Sequence, residues 1–213
     1  MKKRDILYNR QRKKPEDPRL MGALCDKCPL RGRDPVYGDG PPTADIAIVM
    51  DQPSKEEALI GIPFVSRGGE YVENLLNRAG FSRHAVLLDY AIACFPPDGD
   101  LKSYLTIRRR EAAAKWKADG KKGKPTPEMS PVACCRPRLM RSLGVPQCNR
   151  CMKWKLSIED HPEKCTCKPP HSWLRAERPE VGAVLAAGNL ALESLTGHPG
   201  VQAKQMYVFG VKR

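Results

Sequence analysis

The chain has 213 residues, nine of them cysteine, and its 37 Lys and Arg against 24 Asp and Glu give a formal net charge of +13. That length suits one domain with a core of its own plus decorations. No stretch approaches the ~20 apolar residues of a membrane span, and the basic opening "MKKRDILYNRQRKKPEDPRL" has no apolar run behind it, so the chain reads as soluble and cytoplasmic; a monomer is a separate expectation.

Residues 1–20 read as a mobile basic arm without hydrophobic periodicity. The first buried strand is "ADIAIVMD", residues 44–51, bounded by "GDGPPT" and "QPS". "GGEYVENLLNRAGF" then spaces Tyr71, Leu75, Leu76 and Ala79 as one helical face, with Gly80 as the stop. "HAVLLDYAIACF" is a second apolar run, expected to pass through the middle of the sheet. Residues 98–128 form a basic insertion. Its "TIRRREAAAKWKA" is a candidate helix and its "DGKKGKPTPE" a loop, serving either as a solvated excursion or as an arm facing nucleic acid.

"SPVACCRPRLMRSLG" reads as a helix with an N-terminal Ser and a C-terminal Gly. After a Cys-rich insertion at 146–177, "EVGAVLAAGNLALESLTG" gives a strand, a turn at Gly188 and a helix. Strands alternating with helices predict an α/β fold with a parallel sheet, residues 21–213 forming one domain. The positive charge would draw a polyanion, nucleic acid first, and make its binding salt-dependent. The plainer alternative is a solvated basic surface.

The cysteines lie at 25, 28, 94, 134, 135, 148, 151, 165 and 167. In a reducing compartment they argue for metal rather than disulfides. "CDKCPL" presents Cys25 and Cys28 to one point, as a tetrahedral ion or an iron–sulphur cluster needs. "CNRCMKWKLSIEDHPEKCTC" gathers Cys148, Cys151, Cys165 and Cys167 in a pattern close to a zinc knuckle. There a structural zinc, with His171 as a possible substitute ligand, competes with four unmetallated surface thiols.

The succession "CDKCPL", "VYGDGPPTADIAIVMDQP", "EEALIGIPFVSRGG", "ACFPP", "CCRPRL" and "RPEVGAVLAAGNLAL" resembles the family-four iron–sulphur uracil-DNA glycosylases, together with the glycosylase-like proteins associated with phage DNA polymerases. The resemblance covers residues 25 to about 197, interrupted by the two insertions. It implies a three-layer α/β/α fold with a parallel central sheet. It also implies a [4Fe–4S] cluster on Cys25, Cys28, Cys94 and Cys135, the last preferred to Cys134 because "CRPRL" continues the family's pattern. Zinc in the same four thiolates stays open as the alternative.

A glycosylase takes the base out of the stack and holds it while the glycosidic bond stretches. The resemblance implies that Phe64 stacks on the flipped base and that Asp51 stands where the family has a catalytic Glu. Met50 replaces a Gly of the same turn and Ser54 a second one. Tyr90 stands where the family reads the uracil edge with Asn. Asn offers both a donor and an acceptor, and a Tyr hydroxyl cannot reproduce that pair. Asp89 cannot substitute, because neighbouring strand residues face opposite sides of the sheet. "GHPG" at 197–200 falls too early to supply the family's late His-Pro-Ser, so His198 takes no such role, and the chain stops at Arg213 as if C-terminally incomplete.

Two functions follow. One is a glycosylase that hydrolyses the N-glycosidic bond of uracil or another deaminated base in DNA. The other is a non-catalytic DNA-binding module of the same fold, associated with phage replication. Redox sensing has no motif of its own.

Overall fold

A computed structural model describes residues 19, 21–155, 164–168, 170, 172–174, 181–197 and 207–210, Trp173 and the last four by backbone alone. The basic arm, apart from Arg19, and both His171 and His198 lie outside the described residues. No described helix is long and apolar enough to cross a membrane.

Strand β1 (Ile46–Met50) forms within the first apolar run and leads to a short helix α1 (Lys55–Ile60). Ser54 caps α1. Its side chain accepts from the Glu57 amide at 3.2 Å while Glu57 Oε2 accepts from the Ser54 amide at 2.7 Å, so two otherwise unpaired donors are satisfied together. Helix α2 (Arg67–Arg78) buries Gly69, Val72 and Leu76. Leu76 lies on the buried face as expected, but the rest of the expected face is corrected. Tyr71 is 65% exposed and Ala79 is also exposed, because the buried set runs at i, i+3 and i+7 about one position out of phase with theirs.

Strand β2 (Leu87–Tyr90) pairs in parallel with β1, Met50 opposite Tyr90. Helix α3 (Leu101–Ala118) fills the first half of the basic insertion and buries only Leu101. Helix α4 (Pro131–Ser142) starts at Ser130, whose hydroxyl accepts from the Ala133 amide at 3.1 Å, and tolerates Pro137 within it. The Cys-rich segment contributes the antiparallel pair β3 (Gln147–Cys148) and β4 (Trp173–Leu174). Strand β5 (Ala183–Ala187), helix α5 (Asn189–Thr196) and strand β6 (Tyr207–Gly210) complete the described elements.

The main sheet has the order β2-β1-β5-β6, the first three strands parallel and β6 antiparallel. β2 therefore stands at one end of this order rather than in the middle. Its strand residues are still buried, because residues 35–40 cover its outer edge: Asp39 and Leu88 exchange two backbone hydrogen bonds, of 2.8 and 2.7 Å. A run buried on both faces looks the same in sequence whether its edge meets a strand or a loop.

Side chains alternate across the sheet and sort the helices into layers. Ala47, Val49, Leu87, Val184 and Ala186 face α4 and α5 through Leu139, Met140, Ala191, Leu192 and Leu195. Ile48, Leu88 and Tyr90 face Phe64 and, on α2, Val72 and Leu76. This is the three-layer α/β/α arrangement with a parallel core. A third apolar group, built around Cys28, Leu30, Ile92, Leu101, Val132, Cys134 and Cys135, joins the N-terminal segment to α3 and α4.

Candidate functional site

Ligands of open parallel sheets bind outside the C-terminal ends of the strands. Here those ends carry Met50, Asp51 and Tyr90. Phe64 reaches them from the loop after α1 with a left-handed backbone, φ 57°, an uncommon conformation for a bulky residue. Two devices hold that loop. Arg83 donates to the Pro63 and Phe64 carbonyls at 3.2 and 3.4 Å. Gly69 lets α2 approach, since a Cβ there would lie 2.1 Å from the Phe64 carbonyl oxygen. The "GG" that follows "GIPFV" thus has a packing role at its second position.

The Phe64 ring does not face an open slot. Tyr90 stacks on it with centroids 5.0 Å apart and planes 29° from parallel, and the Arg83 guanidinium lies 5.9 Å from the same ring centre. Phe64 is 3% exposed and Tyr90 fully buried. The Tyr90 hydroxyl accepts from the Phe64 amide at 3.0 Å and bonds the Glu57 carboxylate. Burial, reinforced by the negative charge of Glu57, pushes the phenol far above its ordinary range, so it stays protonated. Glu57, the buried residue of α1, also accepts from the Ser66 hydroxyl at 2.8 Å and thereby ties α1, the start of α2 and Tyr90 together. Met50 packs against this same apolar group.

Asp51 points the other way. Its Oδ1 accepts from the Ala191 amide at 2.9 Å, and the amides of Leu190 and Asn189 add to this, so the carboxylate caps α5. Burial raises its pKa and the three amides oppose the rise. Gly188, at φ 128°, makes room, since a Cβ there would come within 2.2 Å of Asp51 Oδ1.

Asp89 and Tyr90 face opposite sides of β2. Asp89 accepts from Arg138 Nη1 at 2.9 and 3.0 Å and from the Ser142 hydroxyl, all three residues being buried. Arg138 also donates to the Tyr90 carbonyl. Sequence reasoning missed this network, although a lone Asp inside "HAVLLDYAIACF" and an Arg on an apolar helix were its signal.

Five thiols converge beside it. Cys25 opens a 3-10 turn that Cys28 closes, Cys94 follows β2 and bridges to Pro35, and Cys134 and Cys135 lie on α4, whose Cys134 carbonyl accepts from the Leu24 amide at 2.9 Å. A hydrogen bond from Cys134, helped by the Leu30 amide, holds the Cys28 thiol below its ordinary range against burial. Burial pushes Cys94 up to about 12, and the neighbouring sulphurs of Cys135, Cys28 and Cys25 add to it in that order. The Arg138 guanidinium acts against the rise at both Cys94 and Cys135. The arginine cation and the amide donor beside these thiols favour the thiolate forms that a metal centre would require.

The second group is tighter. The sulphurs of Cys148, Cys151, Cys165 and Cys167 all lie within 4.8 Å of one another, close enough to hold a metal ion.

Fold and site together define a three-layer α/β/α protein with an aromatic-lined position at the strand ends and two cysteine groups. Residues 37–211 match the uracil DNA glycosylase superfamily, and the chain belongs to that family. Among curated relatives, the type-4 uracil-DNA glycosylase of Pyrobaculum aerophilum is 27% identical over 123 residues, 57% of this chain and 50% of the relative. Those of Thermotoga maritima and Archaeoglobus fulgidus are 34% and 33% identical over 76 residues, 35% of this chain and 40% and 38% of theirs. The chain therefore spans half or less of the length of the curated relatives it matches.

Proposed function

We propose that this chain is a DNA-binding member of the superfamily whose base position is filled by its own Tyr90, and that it binds DNA without excising uracil. The observation that supports this is the Phe64–Tyr90 stack. If Phe64 is the platform for a flipped base, the Tyr90 ring already lies on that platform, and the residual exposure of Phe64 leaves no face for a second ring. Tyr90 also lacks the paired donor and acceptor that would read a uracil edge. The net charge of +13 supports the attraction to DNA.

In this reading Cys25, Cys28, Cys94 and Cys135 hold a [4Fe–4S] cluster that fastens the N-terminal segment to α4. Cys135 is preferred to Cys134 because "CRPRL" continues the pattern of the resembled family from that cysteine. The cluster would supply a rigid, buried crosslink, while Arg138 offsets part of its negative charge.

A glycosylase is the second reading, favoured by one observation. Asp51 presents a half-buried carboxylate of fixed orientation at the end of β1, where it would favour a cationic sugar or orient a water. Paired binding measurements separate the two. Wild-type protein should hold uracil- and thymine-containing single strands equally, and Tyr90→Asn, which takes the ring off Phe64, should prefer the uracil strand several-fold. Discrimination by the wild type would contradict the filled position.

A further inference from the structure

We propose that Cys148, Cys151, Cys165 and Cys167 bind one zinc ion as a closed four-thiolate site, separate from the cluster on the first cysteine group. The geometry is that of a single ion. Zinc–sulphur bonds of about 2.3 Å in a tetrahedron set the sulphurs about 3.8 Å apart. Here all four lie within 4.8 Å of one another, with Cys151 and Cys165 at 3.5 Å. A four-iron cluster interposes its own sulphides and needs its cysteines farther apart.

The backbone is arranged to favour thiolates. The amides of Arg150 (3.4 Å) and Cys151 donate to the Cys148 sulphur, and that of Cys167 donates to Cys165. The tight turn after the first pair is closed by Met152 N to the Cys148 carbonyl, 3.0 Å, and by Cys148 N to the Lys153 carbonyl, 2.7 Å. This turn puts Met152 at φ 58°, one of three described non-glycine residues with positive φ, a local cost that bound metal would offset. The carbonyl of Trp154, whose side chain is 3% exposed in the main core, accepts from the Cys165 amide at 3.1 Å and so anchors the site to the domain.

Binding converts four thiols to thiolates and releases four protons, leaving a centre of charge −2. Arg150, Lys153, Lys155, Lys164 and Lys168 outnumber Glu159, Asp160 and Glu163 in the same segment, a balance that suits an anionic centre. Four protein ligands leave no open position, so the ion is structural and not catalytic. Zinc is assigned over ferrous iron because it binds the same donors more tightly.

The test is metal analysis of the anaerobically purified chain, with Cys94→Ser and Cys167→Ser alongside. About one zinc per chain is expected, kept in Cys94→Ser and lost in Cys167→Ser. Should Cys167→Ser fail to fold, zinc-edge X-ray absorption on the wild type reads the site directly, and four sulphurs at about 2.3 Å are expected. Nitrogen or oxygen ligands at the zinc, iron in place of zinc, or four freely alkylated thiols in the native protein would each overturn the proposal. None of these outcomes depends on whether DNA is bound or uracil released.

Discussion

Single residues decide what the strand ends do. Asp89 and Arg138 form a buried ion pair, and removing one partner of such a pair strands the other charge at a cost of about 3–5 kcal/mol. Asp89→Ala should therefore lower the urea unfolding free energy by about that much, and Asp89→Ala with Arg138→Met should recover most of it. Equal loss in the single and double variants would show that the pair is not what matters. Asp51 gives a pH signature. Its folded pKa is raised by burial, so its contribution to stability is full below the ordinary value of 3.8 and is lost as pH rises through the folded value. Thermal unfolding of Asp51→Asn, whose amide oxygen still faces the α5 amides, should improve relative to wild type over that rise. A difference independent of pH would contradict the assigned burial.

At the scale of elements, α3 is the exposed basic surface. Nine Lys and Arg stand against two acidic residues between 101 and 124, and the helix is fastened at its first turn, where Tyr104 donates to the Pro29 carbonyl at 2.9 Å, next to Cys28. Arg108 is held by Glu128 at 2.6 Å, whereas Arg109, Arg110 and Lys117 are exposed. Changing those three to Ala should flatten the log–log salt dependence of single-strand binding by up to about 2, at roughly 0.7 per phosphate contact; an unchanged slope would mean that α3 only solvates. Sequence patterns made most elements readable, because the strand at 44–51 and the helices after Ser130 and Gly188 carry strong apolar runs and caps. Helix α1 was overlooked although "SKEE" spells its capping box. The placement of β2 at the end of the sheet order, covered by residues 35–40, depends on contacts distant in sequence, which no local pattern encodes.

For the whole molecule, the superfamily fold is kept, and in the proposed reading its base position is taken by the protein's own Tyr90 side chain. Phe64 and Tyr90 could each be singled out in the sequence. That they stack on each other could not, because it follows from the Met50–Tyr90 register and from the close approach at Gly69, both long-range. Grouping Cys25, Cys28, Cys94 and Cys135 rests on the order of motifs and stays a proposal, whereas the Cys148 group is readable locally from its spacing and its sulphurs do lie together. The measurement that bears most directly on the filled position is release of free uracil from a single-stranded oligonucleotide by the anaerobically purified, metal-loaded protein, with binding to the same strand measured alongside and Asp51→Ala as control. Salt-dependent binding without uracil release is the predicted result. Release of uracil that disappears in Asp51→Ala would contradict it and establish a glycosylase.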